Sequence, residues 1–494
     1  MTGTDEPQAS ATYDVVVLGG GPPGENAAQY AIQGSDRSAV IVEAELVGGE
    51  CSYWACMPSK ALLRPVELHA AARAMPGLAA VPPLDVAEVL ARRDAFTHGR
   101  DDAGQISWAE GAGIHVLRGR GRFSGPRRVE VTGTDGAVTW LEARHAVVLA
   151  TGTSAAIPPV PGLAEALPWT SRDATNLTEI PRRIAIIGGG VVACEAATWL
   201  RGLGADAVTL LVRDDALLAG REPFVSELLL QRFTEVGIDV HLDANVDRVS
   251  RPGVSDTGIG HIHGGPVTLE LGEHTLEVDE IIVAAGRRPN SVDLGLEALG
   301  IDTSAARGYV EVDDHLTVPG QGDWLYAVGD LNGRALLTHM GKYQARIAGA
   351  VIAARAEDRP VGGAHHTDRA DHVAVPGVIF TDPQVAHVGM SEAQARARGI
   401  SVETLEYDLA ALAGTSLLRD DYLGRAKLVI DAARNTLVGA TFVGADVGEL
   451  LHSATVAIVG KVSLDDLWHC VPSYPTVAEI WLRLLEQRPP RAWQ

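Results

Sequence analysis

A buried strand that runs directly into a glycine-rich turn and a helix is the feature that most restricts the fold of this chain. Residues 13–18 are nearly all apolar, as in a strand covered on both faces, and lead into GGGPPG. Gly19, Gly21 and Gly24 follow the G-x-G-x-x-G pattern, which lets a backbone approach a pyrophosphate at a helix N-terminus. The turn therefore predicts a βαβ dinucleotide-binding fold.

An acidic residue at the end of the next strand strengthens this prediction. Residues 39–42 form a second apolar run, which Glu43 follows. A carboxylate at this position accepts a hydrogen bond from a ribose hydroxyl. The first site therefore suits an adenosine with a free ribose diol, such as that of FAD.

The same arrangement occurs a second time in the chain. Residues 183–187 predict a strand, and Gly188, Gly190 and Ala193 then give G-x-G-x-x-A at the start of a helix. The chain is therefore expected to bind two nucleotides in two similar folds.

One residue distinguishes the two sites. The strand predicted over residues 207–212 is followed by Arg213, where the first site has Glu43. A cation pairs with the 2′-phosphate of NADPH, whereas a carboxylate repels it. Arg221 is a candidate second phosphate contact, but Asp214 beside Arg213 weakens the interpretation. We therefore expect NADPH at the second site, with NADH as the alternative.

Two of the four cysteines, Cys51 and Cys56, lie in the run GGECSYWACMPSK. In a regular helix, residues five apart lie about 140° round and about 7.5 Å along the axis, too far for a relaxed disulfide. A bridge therefore needs a distorted turn and is easily reduced. A zinc site needs two more ligands, and neither Cys470 nor Cys194 has a CxxC partner. We expect Cys194 to be buried. A redox pair is favoured over an inert bridge or zinc, and no metal site is predicted.

Three later segments have the form of a strand that runs into a glycine turn and closes a nucleotide domain. They are ATGTSAAIPPVPG at 150–162, AAGRRPN at 284–290 and LYAVGD at 325–330. Gly152 and Gly286 are their turn glycines, and Asp330 is placed to hold a polyol hydroxyl. Together with the cysteine run, these motifs resemble the pyridine nucleotide–disulfide oxidoreductases over nearly the whole chain.

The resemblance implies an α/β fold with two Rossmann-like dinucleotide-binding domains and an α+β dimerisation domain. It divides the chain into the first part of an FAD-binding domain (1–160), an NAD(P)H-binding domain (161–287), the second part of the FAD-binding domain (288–360) and a dimerisation domain (361–494).

The resemblance also assigns roles to side chains. Cys56 matches the cysteine nearest the flavin, and Cys51 matches the interchange thiol that meets substrate. Lys60 matches the lysine near the flavin, which pairs with a glutamate that falls on Glu195. Two further residues match the segment beside the pyrimidine end of the flavin, His339 and Met340.

The C-terminal segment departs from the family. Family members carry His-x-His-Pro-Thr-x-x-Glu, in which a histidine from the other subunit protonates the leaving thiol. Here Pro472 and Tyr474 replace the two histidines, while Glu479 remains. A tyrosine of pKa about 10 is a poor base near neutral pH, and losing the acid–base group costs on the order of 10²–10⁴ in rate. Fast lipoamide or glutathione turnover is not expected, and Tyr474 in the partner's active site implies a homodimer.

Tyrosine at position 474 resembles mercuric reductases, whose soft-metal substrate needs no such proton transfer. The sequence nevertheless ends RPPRAWQ, without their vicinal cysteine pair, and we expect no N-terminal metal-binding domain. We expect Cys470 to be a core residue, with contact to the substrate as the alternative. Tyr53 and Trp54, between the two cysteines, either narrow the substrate pocket or pack the start of the helix.

Charge and composition disfavour several classes of partner. The formal net charge of −22 is unsuited to nucleic acid or to an anionic membrane. No apolar run is long enough to span a bilayer. Residues 1–12 are polar and lack signal-peptide features, so we expect a frayed tail. Four cysteines in 494 residues do not form an extracellular disulfide framework, so a cytoplasmic location is expected.

We therefore predict an enzyme, an FAD-dependent NADPH oxidoreductase with a redox-active Cys51–Cys56 disulfide. Electrons pass through the flavin to this disulfide, and then to a small disulfide, a soft metal ion or another electrophile. The alternatives are a dithiol oxidase, a quinone reductase that acts directly from the flavin, and a lipoamide dehydrogenase-like component of a multienzyme complex.

Overall fold

The computed structural model describes residues 9–78 and 80–488; residues 1–8 of the predicted tail and the C-terminal PPRAWQ lie outside these ranges. The strands are β1 Ala11–Leu18, β2 Ala39–Glu43, β3 Ile114–Arg118, β4 Arg120–Gly125, β5 Arg128–Thr132, β6 Val138–Leu149, β7 Thr153–Ala155, β8 Arg183–Ile187, β9 Ala207–Leu211, β10 Ile238–His241, β11 Arg248–Ser250, β12 Val267–Leu271, β13 His274–Val278, β14 Glu280–Val283, β15 Arg287–Pro289, β16 Leu325–Ala327, β17 Gly377–Ile379, β18 Gln384–Gly389, β19 Val402–Asp408, β20 Arg425–Asp431 and β21 Thr436–Gly444.

The helices are α1 Pro22–Ile32, α2 Gly49–Tyr53, α3 Cys56–Arg73, α4 Val86–Phe96, α5 Ala103–Gly111, α6 Ser171–Thr175, α7 Val191–Gly202, α8 Pro223–Val236, α9 Thr338–Ala356, α10 Ala370–Val373, α11 Glu392–Ala397, α12 Ala413–Ser416, α13 Leu451–Gly460, α14 Leu464–Leu467 and α15 Ile480–Glu486. Within the described ranges, none of these helices is both long and apolar enough to cross a membrane.

The first of two compact units contains the described parts of 1–57, 97–154 and 287–372. Its sheet has the strand order β3-β2-β1-β6-β5-β4, with β16 also paired to β6. Because side chains alternate along a strand, Val15 and Val17 of β1 pack against α1 and α9, while Val16 and Leu18 face the opposite core. Burial on both faces explains the continuous apolar run in this strand.

The second unit contains the described parts of 58–96, 155–286 and 373–494. It holds a parallel sheet of order β10-β9-β8-β14 and an antiparallel sheet of order β17-β18-β21-β20-β19. Trp199 of α7 and Phe233 of α8 share a hydrophobic core with Leu210 of the parallel sheet. The predicted fold class, two dinucleotide-binding folds with an α+β domain, is confirmed.

Candidate functional site

The first glycine turn has a backbone geometry that only glycine allows. Gly19 has φ +104°, and a Cβ there would lie 2.4 Å from the carbonyl oxygen of Ala150. A Cβ on Gly24 would lie 2.0 Å from the carbonyl oxygen of Gly19. Gly21 is the N-cap of α1, so no side chain at this position covers the first N–H groups of the helix. The turn therefore fits an anionic group such as pyrophosphate.

Glu43 ends β2 beside this turn. Its Oε2 accepts a hydrogen bond from the Gly20 N–H at 2.6 Å, and its Oε1 accepts one from Glu45 N–H at 2.7 Å. Burial raises the pKa of Glu43, and these two backbone donors oppose the shift. A carboxylate oxygen has two lone pairs, so each oxygen retains one for a ribose hydroxyl.

Replacing Gly24 by Ala is expected to lower the free energy of unfolding by about 3 kcal/mol, the upper end for overpacking, and to reduce bound flavin. The added methyl would meet a carbonyl oxygen, which cannot rotate away as a side chain can. Thermal unfolding and flavin absorbance measure both effects. Gly104→Ala is the control, because a Cβ on this α5 glycine has no neighbour within 4 Å. Equal stability of the two variants would contradict the steric argument.

Asp330 lies in a hydrogen-bonded chain whose other members were not singled out from the sequence. Thr153 Oγ1 donates to Asp330 Oδ2 at 2.8 Å, and Arg287 donates to Thr153 Oγ1 at 2.6 Å. Arg287 also lies 3.6 Å from Glu50 Oε2. Burial raises the pKa of Asp330, while the Thr153 hydroxyl and the Arg287 charge lower it. These contacts fix the carboxyl in the short 3-10 helix Gly329–Asn332, which follows β16.

The remaining predicted residues of the first unit occupy different environments. Gly152 has φ +68°, and its carbonyl accepts from Asn290 N–H at 3.0 Å. Met340 is buried within α9, whereas the neighbouring His339 is exposed. Only Met340 of these two therefore belongs to the core.

The two thiols of the cysteine run meet at a break between helices. α2 ends at Tyr53 and α3 begins at Cys56, with non-helical backbone at Trp54 (φ −129°, ψ −9°). Both cysteines are free thiols, and Cys56 Sγ lies 3.4 Å from Thr338 Oγ1. The hydrogen bond with Cys56, followed by burial, raises the pKa of Cys51, while Thr338 and the Lys342 charge lower it. The interrupted helix therefore brings together two sulfurs that a regular helix would separate.

The aromatic residues between the cysteines are packed inside the protein. Tyr53 is fully buried, and its hydroxyl donates to the Val47 carbonyl at 3.1 Å. Trp54 is 8% exposed, and its ring centroid lies 5.4 Å from the Arg100 guanidinium. These contacts favour the packing alternative over a face that stacks on substrate.

In the second unit, Lys60 and Glu195 form an ion pair. Lys60 Nζ lies 2.8 Å from Glu195 Oε2 and 3.0 Å from Oε1. Glu195 is buried, and its Oε1 also accepts from Phe380 N–H at 3.0 Å. The Phe380 ring lies 4.9 Å from Lys60 Nζ, a contact that the sequence did not indicate. The ammonium is therefore held by a carboxylate and an aromatic face.

The second glycine turn repeats the geometry of the first. Gly188 has φ +134°, and a Cβ there would lie 2.4 Å from the Ala284 carbonyl oxygen. Gly190 is the N-cap of α7, and Ala193 is fully buried in that helix. Gly286 has φ +140°. This turn also leaves a helix N-terminus accessible to an anion.

The two arginines predicted near a 2′-phosphate differ in their contacts. The Arg213 side chain is 83% exposed, with Nε 3.7 Å from Asp214 Oδ1. Arg221 instead contacts His387, with Nη1 3.2 Å from Nδ1. Arg213 is therefore available to a ligand, whereas Arg221 already has a protein partner.

The C-terminal segment corrects one prediction. Cys470 is exposed, so the expectation that it is a core residue is wrong, whereas Cys194 is buried as predicted. Tyr474 is 72% exposed. Glu479 is buried, and its Oε1 lies 2.8 Å from Arg483 Nη2. Glu479 thus pairs within its own helical region, while Tyr474 projects from the surface of this subunit.

Comparisons with known proteins identify the family. The model for pyridine nucleotide-disulphide oxidoreductases matches residues 13–355, and the model for their dimerisation domain matches 375–484. A mercuric reductase of Staphylococcus aureus is 30% identical over 470 residues, covering 94% of this chain and 81% of the relative. A dihydrolipoyl dehydrogenase of Chlamydia muridarum is 31% identical over 481 residues, covering 95% of each.

A solved structure has the same fold. The Cu(II) complex of the HOCl-induced flavoprotein disulfide reductase RclA from Escherichia coli superposes with a TM-score of 0.81 at 22% identity, covering 97% of this chain and 99% of that one. The chain therefore belongs to the pyridine nucleotide-disulphide oxidoreductase family, flavoprotein enzymes that use FAD and a pyridine nucleotide.

Proposed function

We propose that this enzyme takes electrons from NADPH and reduces a small disulfide, a soft metal ion or another electrophile through Cys51 and Cys56. The observation that carries the proposal is the meeting of these two thiols at the α2–α3 break, beside Thr338. FAD, when bound, supplies hydride acceptance and two-electron transfer to a disulfide. Glu43 and Asp330 would hold its hydroxyl groups, and the Gly19–Gly24 turn its pyrophosphate.

The remaining predicted residues take the following roles in this proposal. Lys60, held by Glu195, provides positive charge beside the flavin. Exposed Tyr474 enters the active site of a second copy, so the working unit is a homodimer. We place this homodimer in the cytoplasm. Its FAD-binding, NAD(P)H-binding and dimerisation domains follow the four-part division of the chain, with boundaries at residues 160, 287 and 360.

The choice of NADPH over NADH depends on Arg213. Replacing it by Gln is expected to lower kcat/KM for NADPH by about 10- to 100-fold, because one charged hydrogen bond contributes about 1.5–3 kcal/mol. The value for NADH should stay unchanged, as NADH has no 2′-phosphate. Initial rates with both nucleotides measure the ratio. Arg182→Gln is the matched control, since Arg182 is also 83% exposed; an unchanged ratio in Arg213→Gln would refute the assignment.

An anaerobic titration tests the proposed function. The enzyme should take up two electrons per subunit beyond those of its flavin, because the cysteine pair accepts them. A panel of disulfides, soft metal ions and quinones then identifies the acceptor class. Oxygen uptake with a dithiol and no nicotinamide would instead support a dithiol oxidase. Co-purification with an acyltransferase core would support a component of a multienzyme complex.

A further inference from the structure

A buried glutamine in the first unit joins the segment of Asp330 to the segment of Asp371. The side chain of Gln344, in α9, is fully buried. Its Oε1 accepts hydrogen bonds from the Gly329 N–H at 2.7 Å and from Asn332 Nδ2 at 2.9 Å. These two residues are the ends of the 3-10 helix that carries Asp330. Gln344 therefore holds both ends of the helix that presents this carboxyl.

The amide nitrogen of Gln344 faces a pair of carboxyl groups. Gln344 Nε2 donates to Asp371 Oδ2 at 2.6 Å. The Asp371 N–H donates to Asp368 Oδ1 at 3.3 Å, and Arg334 Nη1 lies 3.2 Å from Asp368 Oδ2. The Arg334 N–H donates to Asn332 Oδ1 at 3.1 Å. The contacts form a closed ring that runs from the 3-10 helix through both carboxyls and back.

One carboxyl oxygen of Asp371 is enclosed without a hydrogen-bond donor. Its Oδ1 is buried and accepts no hydrogen bond within the part of the chain that the structure describes. An unsatisfied buried acceptor costs about 1–3 kcal/mol, and more if it is charged. The neighbouring Asp368 side chain is also fully buried, and two adjacent carboxylates repel each other. A proton on Asp371 removes both costs, because it removes the charge and turns the oxygen into a donor.

The surroundings of Asp371 favour this proton. Burial, then the hydrogen bond and the charge of Asp368, raise the pKa of Asp371 to about 7, while Gln344 and Arg334 lower it. The charged and titratable groups around Asp371 on the neighbouring elements are Asp368, Arg334, Asp314, His372 and Tyr343.

We propose that Asp371, kept protonated against Asp368, is a positioning residue of the flavin site that makes flavin retention depend on pH. It acts through Gln344, which fixes the helix that carries Asp330. Thr153 Oγ1 holds the Asp330 carboxyl from the other side, at 2.8 Å. The proposal rests on the proposed function, in which Asp330 holds a flavin hydroxyl group.

The direction of the pH effect follows from the two states of the ring. In the closed ring, Asp371 keeps its proton up to about pH 7, whereas a solvated aspartyl group loses it near about pH 3.9. Opening the ring therefore releases a proton between these two values, so a rising pH favours opening over this range. The closed ring is favoured most at the acid end of the range, and this advantage is lost as the pH rises through about 7. Above about pH 7, a further rise should have no more effect.

The test follows the release of flavin from the flavin-loaded enzyme, by flavin fluorescence at a fixed temperature below the melting temperature. The release rate of the wild type should rise about 10-fold between about pH 5.5 and about pH 7, and then level off. Asp371→Asn imitates the protonated carboxyl but does not titrate, so it should release flavin slowly over this whole range. Asp358→Asn is the control, on an exposed residue just after α9, and should follow the wild-type profile.

Asp368→Asn provides a second variant. Without the neighbouring charge the pKa of Asp371 falls, so the rise in release rate should move to lower pH. A merely structural role would change the rate without moving the midpoint of the rise. A wild-type rate that is constant across this pH range, an Asp371→Asn profile identical to that of the wild type, or an unmoved midpoint in Asp368→Asn would each overturn the proposal.

Asp330→Ala separates the proposal from the proposed function. If this variant loses flavin quickly at every pH while Asp371→Asn behaves as wild type, the positioning role fails and the proposed function stands. If Asp330→Ala retains flavin as the wild type does, the flavin role of Asp330 in the proposed function fails first, and the positioning role fails with it.

Discussion

Replacing Cys51 by Ser is expected to abolish reduction of a disulfide substrate while leaving reduction of the flavin by NADPH intact. A serine hydroxyl forms no disulfide with Cys56, so electrons have no route from the cofactor to a substrate at the enzyme surface. Removing the nucleophile of a covalent mechanism costs on the order of 10³–10⁶ in kcat. Steady-state rates and anaerobic NADPH titration measure the two parts of the prediction.

Ser52→Ala is the matched control for this variant. Ser52 is the next residue on α2 and has no role in the proposed site, so its substitution should change rates by less than about twofold. If Cys51→Ser retains full activity toward quinones or dyes and also toward disulfides, electrons leave the flavin directly. The quinone reductase alternative would then replace the proposed function.

Replacing Arg251 by Met is expected to lower the free energy of unfolding by about 3–5 kcal/mol. The side chains of Arg251 and Glu280 are both completely buried, and two parallel contacts of 2.8 Å join them. Without the guanidinium, Glu280 keeps the hydrogen bonds from the His263 and Ile281 N–H groups, and no countercharge pairs with it among residues 9–78 and 80–488. A buried carboxylate without a countercharge is costly, so the loss should far exceed that of a surface pair. Urea unfolding followed by fluorescence measures it.

Arg248→Met provides the comparison, at the first residue of β11 and three positions before Arg251. Arg248 is 61% exposed and lies 3.9 Å from Glu270, so this surface pair should contribute less than about 1 kcal/mol. The double variant Arg251→Met/Glu280→Leu should recover part of the stability, since it removes the uncompensated charge. A loss no larger than that of Arg248→Met would show that the buried pair adds nothing to stability.

Local patterns predicted the two nucleotide folds closely. The strand predicted over residues 183–187 coincides with β8, and the glycines at 19 and 188 adopt the positive φ values that their turns require. These features depend on a continuous apolar run, buried on both faces of the sheet, and on the absence of a Cβ, both properties of a short segment. Such properties can be read from neighbouring residues alone.

Long-range contacts account for what the sequence did not indicate. Arg221 contacts His387 across 166 positions of the chain, and Thr153 binds Asp330 across 177. The usual burial of free cysteine predicts a core position for Cys470, but its segment lies at the surface of this subunit. A single sequence does not specify which distant segments meet, so these partners had no local signal.

The sequence by itself determined the family, the two nucleotide turns and the pair of cysteines, because glycine geometry, continuous apolar runs and residue type act over a few neighbouring positions. Only the tertiary structure decided what shifts the pKa of Cys51: the hydrogen bond with Cys56 across the α2–α3 break and burial raise it, while Thr338 and the charge of Lys342 lower it. The physical reason is that the pKa of a group depends on burial and on nearby charge. Both are set by packing between segments far apart in the chain.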